Sequence, residues 1–130
     1  MPIDEQAVRE LARSYTEAWC GQDPERVAAH YSPGGQIAIN GGAPTPIEDV
    51  ARSFITAFPD IQVFMDELVF TDEAVEYRWT FTGTSSETGK WVRVSGAEAW
   101  TMGEDGLIAA SKGSYDQSEY EHQLEHGAPS

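Results

Sequence analysis

The stretch Val75-Glu-Tyr-Arg-Trp-Thr-Phe-Thr-Gly83 alternates with a period of two. Val75, Tyr77, Trp79 and Phe81 fall on one side of an extended chain, and Glu76, Arg78 and Thr80 fall on the other. A strand of this kind needs its apolar face covered by helices, while its mixed polar face suits solvent or a second subunit. Three more stretches share its aromatic and β-branched character, at residues 63–70, 91–102 and 107–115. The separators are short and turn-rich: Thr71-Asp72-Glu73, Ser85-Ser-Glu-Thr-Gly-Lys90 and Gly103-Glu-Asp-Gly106. Such spacing predicts an antiparallel meander.

Upstream of the meander the period changes to that of a helix. Val8, Leu11, Ala12, Tyr15 and Trp19 form one apolar stripe from about Asp4 to Cys20. Asp23 as N-cap and Pro24 at the first helical position start a second helix, with Val27, Ala28 and Tyr31 on one side. Ser32-Pro-Gly-Gly35 breaks it, and residues 36–40 read as a short strand before a Gly-Gly turn. Thr45-Pro46-Ile47-Glu48 reads as a capping box that launches a third helix through Val50, Phe54 and Phe58, stopped by Pro59. Residues 117–126 read as a short helical tail. Helices first and a meander after them predict an α+β domain, with three N-terminal helices packed on a curved, mostly antiparallel sheet.

The 130 residues fit one domain, and no repeat or linker divides them. A hydrophobic fraction of 40% with 11% aromatics belongs to a folded globule. With 22 acidic against 8 basic residues the net charge is −14, which repels phosphate backbones and anionic lipids, so neither nucleic acid nor membrane is an expected partner. No apolar run approaches a membrane span and no leader is evident, so a cytoplasmic location is expected. Cys20 is the only cysteine, which excludes an internal disulfide.

The tail contains His122-Gln-Leu-Glu125-His126, a literal match to one zinc-peptidase pattern. Zinc catalysis needs a third protein ligand, and only four residues follow His126. The expectation is a solvated helix end and no metal.

Several motifs in order give a resemblance. Phe58-Pro59-Asp60 follows the third helix, Val75-x-x-Arg78-Trp79-x-x-x-Gly83-Thr84 lies in the meander, and Glu104-Asp105-Gly106-Leu107-Ile108 precedes the last strand. Tyr115-Asp116 and Gln123-Leu124 complete the set. Over residues 5–124 the chain resembles the nuclear-transport-factor-2-like superfamily of cone-shaped α+β domains, and more narrowly the SnoaL-like polyketide cyclases. The resemblance implies a deep apolar pocket between sheet and helices, a small apolar or aromatic ligand, no cofactor, and a homodimer formed through the outer sheet face.

It also implies where chemistry would sit. Ketosteroid isomerases of this superfamily use a carboxylate base with a tyrosine and a protonated acid as oxyanion donors. Matching their pattern puts Tyr15 on the tyrosine and Glu98 on the acid, but Ile39 on the base. The Asp-Arg-Asp set of the limonene-epoxide-hydrolase branch is dismantled, with only Glu98 in place and Gly96 and Gly113 at the other two positions. In the SnoaL-like cyclases an aspartate near the end of the last strand removes a proton from an activated carbon, and Asp116 matches it. Ser85 stands where many relatives carry histidine.

Plain readings stand beside these. Tyr15 fits a core stripe, Asp116 fits the cap of the tail helix, and Asn40 before Gly-Gly fits a turn. Glu98, flanked by Ala97, Ala99 and Trp100, is either paired with Arg78 or Arg93 or has a raised pKa. The expected catalytic set is therefore Asp116 as general base, with Glu98 and Tyr15 as oxyanion donors. Asn40, Trp19, Phe54, Phe58, Trp79 and Trp100 are the expected ligand contacts. The expected function is binding, and cyclisation or isomerisation, of an apolar carbonyl compound of polyketide type. A ligand-binding or dimerisation module without chemistry is the alternative.

Overall fold

The computed structural model describes residues 4–72 and 74–129, so Glu73 of the first expected separator lies outside the described residues. The chain runs α1 (Glu5–Cys20), α2 (Pro24–Ala28), β1 (Tyr31–Ile39), β2 (Thr45–Pro46), α3 (Ile47–Ala57), β3 (Gln62–Phe70), β4 (Val75–Thr84), β5 (Trp91–Met102), β6 (Ile108–Tyr115) and α4 (Gln117–His126). One curved, unclosed sheet takes the order β2-β1-β6-β5-β4-β3. Every ladder is antiparallel except β1–β6. The fold is α+β and mostly antiparallel, as the meander predicts.

The period-two reading of β4 holds. Val75, Tyr77 and Phe81 are buried, while Arg78 is exposed on the opposite face, where it pairs with Glu67 and Glu76 at 3.0 Å each. The inner face packs against α1, whose Val8, Ala12, Tyr15, Ala18 and Trp19 are buried. Asp4 and Asp23 cap the first two helices by accepting backbone N–H groups.

Two local expectations are corrected. The capping box at Thr45 does not form: α3 has Pro46 as N-cap with no side-chain cap, and the Thr45 hydroxyl donates to the Ala43 carbonyl. Thr45 and Pro46 are instead drawn into extended pairing with Ile37 and Gln36, while Glu48 and Asp49 complement the helix dipole. Likewise β1 begins at Tyr31 rather than Gln36. A register shift between those residues absorbs Pro33-Gly34-Gly35 without ending the strand.

Two of the scattered motifs prove to be one contact. Asp60 accepts the Thr84 N–H at 2.7 Å, a bond that holds its carboxyl below the ordinary carboxylate range. A Cβ on Gly83 would come within 2.9 Å of Phe58 Cβ. Phe58-Pro59-Asp60 and Gly83-Thr84 are therefore the two halves of the joint that ends β4 behind α3.

Gln123 makes a second joint. It is buried, its Oε1 accepts the Arg93 N–H at 2.7 Å and its Nε2 donates to the Arg93 carbonyl at 3.0 Å. A side-chain amide thus pairs with β5 as a neighbouring strand would, and fastens α4 to the sheet.

The outer face leaves Phe64 52% and Trp91 48% exposed, around a shallow groove with Asp66, Thr80, Thr82, Arg93 and Ser95. Among the described residues no helix is long and apolar enough to cross a membrane.

Candidate functional site

A cavity opens between the inner sheet face and the helices. Trp19 of α1 and Val50 and Phe54 of α3 form one wall. Ile37, Ile39, Tyr77, Trp79, Phe81, Gly113, Ser114 and Tyr115 form the sheet wall, Ile61 and Val63 close one side, and Glu98 stands among them. The cavity is narrow, about 60 Å³ in volume, which suits a compact ligand.

Glu98 reaches this wall because β5 keeps its alternation through Gly96, with Trp79 opposite Gly96 and Tyr77 opposite Glu98. Gly96 has a packing reason: a Cβ there would meet the Ser114 carbonyl oxygen at 2.4 Å and Trp79 Cζ2 at 2.6 Å. It seats the Trp79 indole against the sheet.

The Glu98 carboxyl is buried and its hydrogen bonds are unevenly shared. Oε1 accepts from Trp100 Nε1 at 2.9 Å, Tyr15 Oη at 3.0 Å and Tyr31 Oη at 3.3 Å. Oε2 has only the longer arm of the Tyr15 contact, at 3.3 Å. Ser111 Oγ lies 2.9 Å from Tyr31 Oη and completes the chain of hydroxyls. Burial raises the carboxyl above the usual carboxylate range, and the bonds from Trp100, Tyr15 and Tyr31 offset this only in part. Burial, reinforced by the nearby Glu98 charge, also raises both tyrosines, so their hydroxyls stay protonated donors. Neither Arg78 nor Arg93 pairs with Glu98; aromatic rings enclose it, with Tyr77 stacked on Trp100 at 4.9 Å and Tyr15 edge-on to Trp100 at 5.5 Å.

A carboxyl with one saturated and one nearly free oxygen, in an apolar cavity, can both take up and return a proton. The structure thus joins Tyr15 to Glu98, and sets Trp19, Phe54 and Trp79 in the cavity wall. Ile39, which matches the isomerase base, lines the cavity without a titratable group.

Other expected residues lie elsewhere. Asp116 is exposed and not among the lining residues; its carboxylate accepts the Glu119 N–H at 3.0 Å as the N-cap of α4. Asn40 is exposed at φ +50°, with Oδ1 accepting the Tyr115 N–H at 2.9 Å and Nδ2 directed at Gln117. It ties the end of β1 to the end of β6 and stands outside the wall. Phe58 and Trp100 are fully buried behind the cavity, Trp100 as a donor to Glu98 and Phe58 against Phe81.

Tyr31 and Ser111 are site residues that sequence reasoning missed. Tyr31 looks like the end of a helix stripe. The inward parity of Ser111 is hidden by an irregular register between Ile108 and Ala110.

In the tail, the His122 and His126 rings lie 4.6 Å apart on the exposed side of α4. His30 is engaged elsewhere, bonded to Ser14 and the Arg26 carbonyl. Among the described residues no three His, Cys, Asp or Glu side chains are grouped to hold a metal.

Known structures share this architecture. TsrD from Streptomyces laurentii is 20% identical, with 93% of this chain and 96% of that one covered and a TM-score of 0.80. A protein of ketosteroid isomerase-like fold from Catenulispora acidiphila, solved with trimethylamine, is 15% identical over 85% and 88% of the two chains, with a TM-score of 0.75. The epoxide hydrolase/cyclase-like enzyme SalBIII, studied for pyran ring formation in the polyether salinomycin, is 14% identical over 89% and 95%, with a TM-score of 0.77. These likenesses show the fold. No curated protein matches the sequence significantly. The sequence model of the SnoaL-like domain matches residues 12–111, most of the chain, including Tyr15, Glu98 and the cavity wall except Gly113, Ser114 and Tyr115; the chain belongs to the SnoaL-like domain family.

Proposed function

We propose that this SnoaL-type pocket protein binds a compact apolar carbonyl compound and that Glu98 moves its proton. The observation that supports this is the buried Glu98 carboxyl at the wall of an apolar cavity, with Oε1 saturated by donors and Oε2 left for a ligand. Ionised Oε2 takes a proton from the carbon beside a carbonyl, and the C–H electron pair becomes an enolate. In an isomerisation another carbon of that enolate takes the proton back. In a cyclisation the enolate carbon attacks a second carbonyl of the same molecule, and the new alkoxide receives the proton from Oε2. Either way the proton lost equals the proton returned. Tyr15 and Tyr31 act as positioning residues: with Tyr31 on Oε1 and Tyr15 closer to Oε1 than to Oε2, they favour Oε2 as the reacting oxygen and oppose the cost of burying its charge.

The base role expected of Asp116 passes in this proposal to Glu98, because the Asp116 carboxylate is engaged as a helix cap. That same observation supports the second reading, a ligand-binding module without chemistry. We also propose that two copies pair through the outer sheet face, on the support of exposed Phe64 and Trp91.

The test of the site is titration with 2-naphthol, whose hydroxyl mimics an enol. Donation to Glu98 Oε2 requires that Glu98→Gln weaken binding about tenfold or more, since a bond to a charged group contributes ~1.5–3 kcal/mol. Equal affinity for the two proteins places the ligand away from Glu98 and contradicts the proposal.

A further inference from the structure

We infer that the indole N–H of Trp79 is the ligand's polar anchor, donating to a carbonyl oxygen, and this rests on the reading that the cavity binds a small carbonyl compound. Trp79 lines the cavity. Its Nε1 is the one buried side-chain nitrogen or oxygen without a hydrogen-bond partner among the described residues. Folded chains leave few such donors, because burying an N–H with nothing to accept it is unfavourable. Elsewhere this fold satisfies its buried polar groups closely: Trp100 gives its N–H to Glu98, and Tyr31 meets Ser111.

The position of Trp79 is also held. Gly96 admits its six-membered ring against the sheet, with Cζ2 and Cη2 occupying the space a Cβ would need. Phe81 and Tyr115 pack on it at ring separations of 6.0 and 6.3 Å. An unspent donor held on a residue of this largely apolar wall selects a ligand that brings an acceptor to it and rejects the matching hydrocarbon. Glu98 then handles protons, while Trp79 recognises oxygen.

The experiment uses 1-indanone and indane, which differ in the carbonyl, against the whole chain. In wild-type protein labelled with nitrogen-15, the Trp79 indole proton is identified among the four tryptophans by its contacts to the Phe81 and Tyr115 rings. It is expected to move downfield with 1-indanone and not with indane. In Trp79→Phe, the affinity ratio of 1-indanone to indane is expected to fall about fivefold to tenfold; lost apolar area affects both compounds and cancels in the ratio. An unchanged ratio, or an indole proton that responds equally to both, overturns the anchor and leaves the cavity as a binding site. Failure of both compounds to bind overturns the carbonyl-pocket reading and the anchor with it.

Discussion

Replacing Glu98 by Gln tests the buried carboxyl through stability alone, with no ligand needed. In the unfolded chain Glu98 titrates near 4.5, and burial raises it above that in the folded chain. Between those two values the folded state holds a proton that the unfolded state has lost. Stability contributed by this group is therefore full below about pH 4.5 and is lost as pH rises through the folded-state value. One proton gives a slope of at most ~1.4 kcal/mol per pH unit. For a domain of this size that is at most about 5 °C of melting temperature per pH unit. Glutamine has nothing to ionise, so the stability of Glu98→Gln relative to wild type should climb with pH through this window and then level off. Every other titrating group is shared, so the difference between the proteins isolates Glu98. Urea unfolding followed by tryptophan fluorescence from pH 4 to 8.5 measures it. A difference that is flat across pH, or that falls as pH rises, would refute the raised carboxyl and the dry environment inferred for it.

Other positions carry separate expectations. Gly96→Ala should destabilise by about 2–3 kcal/mol, the upper part of the overpacking range, because its Cβ meets a backbone oxygen that no rotamer change can move; denaturant midpoints check this. Asp116→Asn should be nearly neutral for stability and for any ketone chemistry, whereas Asp116→Ala should cost about 1 kcal/mol through loss of the α4 cap. A large activity loss in Asp116→Asn with unchanged stability would return the base role to Asp116. The pairing proposed for the outer face predicts that wild type sediments as a dimer and Trp91→Glu as a monomer of unchanged melting temperature, since Trp91 is 48% exposed; a monomeric wild type in sedimentation velocity would refute it.

Legibility in the sequence followed the range of the interactions involved. The alternation of Val75, Tyr77, Trp79 and Phe81 records one-sided burial directly, and α1 records its stripe in the same way, so both were readable from local period. The cap at Thr45 failed because pairing with β1, set by contacts across the sheet, outweighs a local hydrogen bond. Extension of β1 back to Tyr31 depends on its parallel register with β6, which no local pattern contains.

The site divides similarly. Tyr15 and Glu98 are linked in the sequence only through family resemblance, which carries long-range information that period does not. Trp100 was visible as a large ring but not as a donor to Glu98, and Tyr31 not as part of the site at all. Asp116 shows the opposite limit: one carboxylate satisfied two local readings, and the geometry engages it as the cap. Gln123 carried a signal, a polar residue repeated from the family ending, whose physical content is its two-point bond to Arg93.

The most direct measurement is hydrogen–deuterium exchange at the carbon beside the carbonyl of 1-indanone, followed by proton NMR in D2O with wild type and Glu98→Gln. Proton transfer by a positioned side chain contributes ~10²–10⁴-fold. Wild type should therefore exchange the ketone at least about a hundredfold faster than the variant, with a rate that rises with pH to a plateau as Glu98 ionises. Equal rates for the two proteins would contradict Glu98 as the proton-moving group, and a wild-type rate no greater than that of buffer would leave a binding pocket without chemistry.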